Sequence, residues 1–226
     1  MRSLDPISLY EGLFAALGPQ EWWPARTKFE VIVGAVLVQN TAWKNVERAI
    51  TNLRKAKKLT PRALAAMPQD ELSELIRPAG YYRMKARRLK NVVGFITEQY
   101  GGSLKRMFAT PLPELREALL AIHGVGPETA DSILLYAGDL PSFVIDAYTL
   151  RILRRHGWAG ETDGYAELKQ FFEDRLPADA ALFNEYHAMF VRIGHLYCRR
   201  EAKCEACPLR DTLPSLRPLR RNIRAP

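Results

Sequence analysis

Apolar residues recur at helical spacing along nearly the whole chain, and the strict alternation that is typical of half-buried strands is rare. The pattern predicts eleven helices joined mostly by short connections, and therefore an all-α fold without internal repeats. The predicted helices are Ile7–Leu17, Lys28–Gln39, Trp43–Lys55, Thr60–Ala66, Gln69–Ile76, Met84–Tyr100, Leu115–Ile122, Pro127–Ala137, Ala147–His156, Tyr165–Leu176 and Ala178–Cys198.

Composition narrows the class of protein. The 226 residues, 47% of them hydrophobic and 26% charged, suffice for a packed core in one or two lobes, which excludes a disordered chain. Three cysteines are too few for a disulfide scaffold. The longest apolar run, Val31–Val38, is much shorter than the roughly 20 residues that cross a bilayer, and acidic residues interrupt the start of the chain where a signal peptide would be apolar. We therefore expect a cytoplasmic protein with no membrane partner.

The net charge points to an acidic partner. The chain carries 33 Lys and Arg against 25 Asp and Glu, a net charge of +8, and nucleic acid is the commonest acidic partner. Residues 208–226 form a basic arm that holds five arginines and one aspartate, which is half of that net charge. A solvated surface tail explains this arm equally well, so charge alone does not identify the partner.

Residues 120–137 contain the first specific motif. A short apolar helix is followed by Gly124, Val125 and Gly126, and a second apolar helix begins at once with Pro127. Glycines at both outer positions allow a tight turn with positive φ, and Val125 is placed to plug the groove between the two helices. Such a turn exposes backbone N–H groups that hold a phosphate oxygen. The pattern predicts a helix-hairpin-helix DNA contact, with a plain turn between two core helices as the alternative.

An acidic residue begins the helix that follows the hairpin. Asp146 comes after the apolar Val144 and Ile145, so its plain role is that of an N-cap. A helix-hairpin-helix followed by this arrangement resembles the base excision DNA glycosylase superfamily that contains endonuclease III. The resemblance implies that Asp146 is the catalytic carboxylate. Chemistry supports this role, because breaking an N-glycosidic bond builds positive charge on the sugar, and an ionised acid stabilises that charge or activates water.

The resemblance covers about residues 27–207 and implies the architecture. Residues 27–137 are expected to form a central helical lobe with the hairpin, and residues 1–26 and 138–226 a second lobe from both ends of the chain. In the family the DNA and the flipped base lie in a cleft between two helical lobes. The target base must first leave the stack, which requires a wedge and a pocket.

The residue at position 128 separates two kinds of glycosylase. Family members that also cut the strand carry a Lys two residues after the second glycine of the turn, as the amine that forms a Schiff base. In this chain that residue is Glu128, and no Lys occurs between Ala109 and Arg155. The resemblance therefore implies base release without efficient β-elimination. Glu128 is either a solvated acid that favours the helix dipole or a cleft residue that tunes the pocket.

Three stretches in the N-terminal half resemble the 3-methyladenine DNA glycosylases of the endonuclease III-like branch. The stretches are Trp22–Pro24, Phe29–Trp43 and Gly80–Leu89. The resemblance implies that Gln39 fills the duplex beside the displaced base and that Trp43 stacks on this base, with Trp22, Trp23 and Pro24 as walls of the pocket. An aromatic pocket suits an alkylated purine, because a π face attracts the positive charge on such a base. Core packing of the tryptophans is the alternative.

Basic residues cluster in the third of these stretches. Lys85 and Arg87 are predicted to contact DNA phosphates beside the lesion, and Arg88 extends the cluster. A solvated helix face is the alternative for this run. Tyr81 and Tyr82, which come just before it, are predicted to be packing residues.

The cysteines lie within ten residues of one another, at a spacing that favours soft-metal coordination. They are Cys198, Cys204 and Cys207. The segment resembles the loop that holds the four-iron, four-sulfur cluster of endonuclease III, but the position of the expected fourth cysteine is Leu213. Two interpretations stay open: either a residue such as Asp211 or His195 completes an iron-sulfur site, or the loop holds three reduced thiols and an incomplete, labile or absent cluster.

We therefore expect a monofunctional DNA glycosylase of base excision repair, acting as a monomer on double-stranded DNA with a damaged base. The expected substrates are alkylated purines such as 3-methyladenine. Two alternatives remain: an endonuclease III-like enzyme for oxidised pyrimidines or mismatches, with or without strand cleavage, and a DNA-binding module without chemistry. The histidines show no catalytic spacing and are predicted to be ordinary polar or packing residues; they are His123, His156, His187 and His195.

Overall fold

A computed structural model of the chain describes residues 4–20 and 22–213. Over these residues the protein is helical and contains no β-strand, so the predicted all-α class is confirmed. Within the same residues, no helix combines the length and the apolar character that crossing a bilayer requires. Most of the predicted basic arm, residues 214–226, lies outside the described residues.

Twelve α-helices are found in the described residues, with short 3₁₀ turns between some of them. They are α1 (Pro6–Leu17), α2 (Lys28–Leu37), α3 (Trp43–Lys55), α4 (Pro61–Ala66), α5 (Gln69–Leu75), α6 (Tyr82–Tyr100), α7 (Leu104–Met107), α8 (Leu112–Leu120), α9 (Pro127–Ser132), α10 (Ala147–Arg155), α11 (Tyr165–Glu173) and α12 (Ala180–Leu196). One π turn, Ile133–Ala137, continues α9. The sequence pattern did not predict α7, because a single turn is too short to show helical spacing of apolar residues.

Side-chain caps explain where several helices begin. In each case an oxygen of the residue before the helix accepts a hydrogen bond from a backbone N–H of the first turn, which would otherwise lack a partner. The capping residues are Asp5, Thr27, Thr60, Ser103 and Asp146. The predicted catalytic residue Asp146 is therefore also the N-cap of α10.

The described residues divide into two compact units. The first unit comprises residues 4–20, 145–177 and 185–213. In its core, the ring of Tyr186 stacks on that of Phe190, with ring centroids 5.0 Å apart, and meets the ring of Phe172 edge to face at 5.6 Å. The buried hydroxyl of Tyr186 donates to the carbonyl of Pro6 at 3.0 Å, which anchors the start of α1 to α12.

The second unit comprises residues 22–144 and 178–184. Helix α2 runs through its core, and every residue of this helix from Phe29 to Leu37 is buried. The continuous apolar run that the sequence shows here is therefore a core helix. Its one acidic residue, Glu30, is 4% exposed and pairs with Arg54 of α3 at 2.7 Å, so the buried charge has a partner.

Candidate active site

The predicted hairpin is present between α8 and α9. Val125 is 6% exposed, and its backbone N–H donates to the carbonyl of Ile122 at 3.0 Å. Gly124 has a φ of +95°, and a Cβ added there would lie 2.4 Å from Cγ of Arg88. Gly126 was expected to have positive φ as well, which is wrong: its φ is −95°, and it is the N-cap residue of α9. The backbone conformation therefore requires a glycine only at position 124, and Gly126 is exposed.

A buried network of ionic and hydrogen-bond contacts joins the two helices of the hairpin. Asp131 in α9 has a fully buried side chain and receives two hydrogen bonds from the guanidinium of Arg116 in α8, at 2.7 and 3.1 Å. The hydroxyl of Ser142, in the segment that leads away from the π turn, donates to the same carboxylate at 2.6 Å. These contacts join both hairpin helices to the segment that follows them.

Gln39 is held against the hairpin. Its side-chain amide donates to the hydroxyl of Thr129 at 2.9 Å and to the carbonyl of Gly124 at 3.3 Å. The guanidinium of Arg88 donates to the amide oxygen of Gln39. The structure therefore brings the predicted wedge residue together with the predicted phosphate-binding turn, and adds Arg88 as the link between them.

The predicted pocket aromatics form one cluster. The rings of Trp23 and Trp43 meet edge to face with centroids 5.0 Å apart, and Trp22 meets Trp23 at 5.8 Å. Tyr136, which the sequence analysis did not single out, lies 4.9 Å from Trp23. Gly34 of α2 makes room for these rings, since a Cβ there would lie 3.3 Å from Trp23. We call these four aromatic residues the aromatic cluster.

Two features distinguish the aromatic cluster from an ordinary core. The side chains of Trp22, Trp23 and Trp43 are only half-buried, and Pro24 beside them is exposed. The indole N–H groups of Trp22 and Trp23 are both buried and have no hydrogen-bond partner among the described residues. A buried N–H group usually has a partner, so a polar atom of a ligand would stabilise this arrangement.

Asp146 is positioned by the first turn of α10. One carboxylate oxygen, Oδ1, accepts a hydrogen bond of 2.7 Å from the backbone N–H of Thr149. The other, Oδ2, lies 3.7 Å from Nε2 of His187 in α12. The Asp146 side chain is 12% exposed. The position at a helix N-terminus favours the negative charge that the proposed chemistry requires.

His187, which was predicted to be an ordinary polar or packing residue, lies beside Asp146 in the structure. Its side chain is 6% exposed. Burial lowers the pKa of its imidazole, and the carboxylate of Asp146 acts in the opposite direction. The histidine is therefore a buried polar group beside the predicted catalytic acid.

The predicted roles of Glu128 and of the basic cluster differ in how they agree with the structure. Glu128 is exposed in the first turn of α9, where an acid is favourable, and its role in the pocket stays a prediction. Arg87 is exposed, as a phosphate contact must be. Lys85 is 1% exposed and donates to the carbonyls of Leu37 at 2.9 Å and of Ala79 at 2.7 Å. The prediction that Lys85 contacts DNA is therefore wrong, because its ammonium caps the end of α2 inside the second unit.

The two tyrosines at the start of α6 differ from each other. Tyr82 is half-buried, but Tyr81 is 69% exposed and has a φ of +45°, so the prediction that Tyr81 packs is wrong. Met84 is also exposed, at 42%. Met84 and Arg87 lie on other faces of α6 than the buried Lys85, so both are exposed.

The three cysteines line one small cavity of about 20 Å³. Leu213 lines the same cavity, whereas Asp211 and His195 do not. Burial raises the pKa of the Cys207 thiol, and the thiols of Cys198 and Cys204 act in the same direction. No group of three or more His, Cys, Asp or Glu side chains within residues 4–20 and 22–213 is placed to hold a metal ion. Within the described residues, the cavity lining supplies three thiols and the side chain of His156, but no fourth cysteine.

Hydrogen bonds attach the cysteine loop to α10. Arg155 of α10 donates to the Cys198 sulfur at 3.3 Å and to the carbonyls of Arg199 at 2.5 Å and Arg200 at 3.1 Å. The hydroxyl of Thr212 lies 3.0 Å from Nδ1 of His156. The loop is thus attached to α10, the helix whose N-cap is Asp146.

Comparison with known proteins agrees with this geometry. The family model of the HhH-GPD superfamily of base excision DNA repair proteins matches residues 33–178. The "Putative DNA repair glycosylase MJ1434" of Methanocaldococcus jannaschii is 50% identical over 205 residues, which cover 90% of this chain and 93% of that protein. The Endonuclease III of Thermotoga maritima is 31% identical over 184 residues, 81% of each chain.

A solved structure gives a similar result. The H. pylori 3-methyladenine DNA glycosylase (MagIII) bound to 1,N6-ethenoadenine superposes with a TM-score of 0.75 and 29% sequence identity, covering 85% of this chain and 98% of that chain. The chain belongs to the HhH-GPD superfamily of base excision DNA repair proteins. The resemblance stated from the sequence is thereby confirmed, and the enzyme class is that of base excision DNA glycosylases.

Proposed function

We propose that this DNA glycosylase releases alkylated purines, such as 3-methyladenine, from double-stranded DNA by hydrolysis and does not cut the strand itself. The observation that carries the proposal is the aromatic cluster, in which two indole N–H groups have no hydrogen-bond partner among the residues that the structure describes. Aromatic faces attract the positive charge of an N3- or N7-alkylated purine, by about 1 kcal/mol or more when the site is dry. The similar H. pylori enzyme is, by its name, a 3-methyladenine DNA glycosylase with a bound ethenoadenine.

Asp146 supplies the chemistry of the proposal. The glycosidic bond breaks with its electron pair moving to the base nitrogen, and the sugar becomes cationic. Water then adds to the sugar carbon and gives up a proton. The carboxylate of Asp146 stabilises the cation or accepts this proton. Because an alkylated purine is already a good leaving group, little acid assistance to the base is needed.

The hairpin and Gln39 supply the DNA contacts. The turn at Gly124, Val125 and Gly126, of which Gly126 is exposed, leads a phosphate to the first turn of α9, with exposed Arg87 as a second contact. Gln39 takes the place of the flipped base in the duplex, which offsets part of the cost of unstacking. To do this, its amide must leave the hydrogen bonds that it makes to Thr129 and Gly124.

The absence of strand cleavage rests on Glu128. A carboxylate cannot form an imine. The superfamily members that cut the strand by β-elimination carry an amine at that position. Glu128→Lys places an amine there on an exposed position. We expect this variant to be trapped on DNA by borohydride, while the wild type and the matched Glu128→Gln variant are not.

A second candidate is removal of oxidised pyrimidines or mismatched bases, which is favoured by the 31% identity to an Endonuclease III. Duplexes that carry one 3-methyladenine, one oxidised pyrimidine or one mismatched thymine separate the candidates. We expect chromatography to detect free 3-methyladenine, with strand breaks only after alkali. Release of the pyrimidine alone would replace the first proposal with the second. Strand breaks that need the enzyme but no alkali would contradict the role given to Glu128.

A further inference from the structure

The carboxylate of Asp146 contacts a different partner with each of its oxygens. Oδ1 accepts from the backbone N–H of Thr149 at 2.7 Å, and Oδ2 lies 3.7 Å from Nε2 of His187. Both side chains are largely buried, at 12% and 6% exposure. The backbone contact fixes one oxygen in the manner of any N-cap, and the other oxygen faces the histidine.

The packing of α12 on α10 fixes the position of His187. Gly194 lies two helical turns after His187, on the same face of α12. A Cβ at Gly194 would lie 2.4 Å from the ring of Tyr148, so only glycine allows this close approach of the two helices.

Arg151 of α10 completes this contact. Its guanidinium donates to the carbonyl of Gly194 at 3.1 Å and to that of Cys198 at 2.7 Å. These two hydrogen bonds and the close approach at Tyr148 set the register between the helices. The register in turn places the His187 ring beside Asp146.

The charge state of the histidine matters for the chemistry. A cationic imidazole beside Asp146 would neutralise the negative charge that the sugar cation needs. Burial lowers the pKa of the His187 imidazole, in spite of the opposing effect of Asp146, and so favours the neutral ring at neutral pH. A neutral imidazole donates one N–H and leaves the negative charge on the carboxylate.

We propose that His187 is a positioning residue for base release, whose neutral imidazole directs Oδ2 of Asp146 toward the sugar cation by donating from Nε2. The inference rests on the proposed function, because it concerns how Asp146 supports hydrolysis. The present 3.7 Å separation shortens to a hydrogen bond when the damaged DNA is bound, as catalytic contacts often do.

Single-turnover kinetics on a duplex with one 3-methyladenine test the inference. His187→Leu removes the donor, His187→Asn retains an amide donor, and His195→Leu changes an exposed histidine of the same helix as a control. We expect His187→Leu to slow base release about 10- to 100-fold while the Kd for the duplex changes less than about twofold. His187→Asn restores most of the rate, and His195→Leu matches the wild type. A folded His187→Leu protein that releases base at the wild-type rate overturns the inference.

A second measurement does not depend on activity. The His187 ring is titrated by NMR in the wild type and in Asp146→Asn, and we expect a lower midpoint in the variant because the carboxylate that raises the pKa has lost its charge. An unchanged midpoint overturns the pairing even if no substrate is cleaved. If the wild type releases no alkylated purine but the midpoint shifts, the proposed function fails and the pairing of Asp146 with His187 stands.

Discussion

The side-chain amide of Gln39 donates a 2.9 Å hydrogen bond to the hydroxyl of Thr129, and this contact joins the end of α2 to the second helix of the hairpin. The same amide reaches the carbonyl of Gly124, in the turn itself. A residue proposed to enter the duplex is thus held on the element proposed to bind a phosphate. The binding of a DNA phosphate at the hairpin and the release of the Gln39 amide would therefore involve neighbouring atoms of the protein.

Gln39→Ala is expected to affect stability and catalysis differently. Loss of the amide leaves the Thr129 hydroxyl and the Gly124 carbonyl without this partner, at a cost of about 1 to 2 kcal/mol in the free energy of unfolding. Base release from duplex DNA should fall more than release from the same lesion in a single strand, because only the duplex has a gap to fill. Denaturant titration and single-turnover assays measure the two effects.

Glu47→Ala is the control for this prediction, since Glu47 is an exposed residue of α3, where alanine is well tolerated. It should retain both the stability and the preference of the wild type. Equal loss of activity on duplex and single-stranded substrate in Gln39→Ala would show that Gln39 does not act in the duplex.

The network around Asp131 predicts that substitutions in it strongly lower the free energy of unfolding. Asp131→Asn removes the buried negative charge that the guanidinium of Arg116 contacts, and we expect a loss of about 3 kcal/mol in the free energy of unfolding. Ser142→Ala removes one hydrogen bond to the same carboxylate and should cost about 1 kcal/mol. Glu117→Gln changes an exposed acid in the second half of α8 and should be neutral. Asp131→Asn with wild-type stability would mean that the network does not hold the hairpin.

The buried histidine predicts how stability depends on pH. Because the pKa of His187 is lowered in the folded protein, the unfolded chain binds a proton below its ordinary value of 6.5 while the folded chain resists it. Stability is therefore lost as the pH falls below about 6.5 toward the lower folded value. Thermal unfolding of the wild type between pH 8 and pH 5, compared with His187→Asn, should show a steeper decline in the wild type. Parallel curves would contradict the assigned burial effect.

The cavity of the cysteine loop predicts the behaviour of iron. With three thiols and Leu213 in its lining, the wild type should lose iron readily after anaerobic reconstitution. Leu213→Cys adds the fourth thiol at this cavity and should raise the iron that is retained after gel filtration. Leu196→Cys, an exposed thiol in α12, is the control and should not. Four stably bound irons in the wild type would show that a non-cysteine ligand completes the site.

The sequence predicted most of the fold, because helical spacing and caps are local properties. The predicted helix starts at Lys28 and Trp43 are those of α2 and α3, and the short hairpin follows from two glycines close together. The same local pattern was misleading for Lys85, which looked like part of a basic surface. Its ammonium instead lies inside the second unit, where two backbone carbonyls from different segments receive it.

The site was predicted in part for the same reason. Asp146 and the tryptophans belong to contiguous motifs, whereas Tyr136 and His187 contribute through tertiary contacts. His187 follows Asp146 by 41 positions and shares no motif with it. A signal was nevertheless present, since Gly194 lies 7 residues after His187, on one face of the same helix.

The most direct test of the account is base release by Asp146→Asn. Asparagine caps a helix as well as aspartate does, so the hydrogen bond from Thr149 and the start of α10 should be retained. We expect the variant to bind a duplex containing 3-methyladenine with a Kd within about twofold of the wild type, and to release the base about 100-fold or more slowly. Release at the wild-type rate would show that Asp146 is not the catalytic carboxylate.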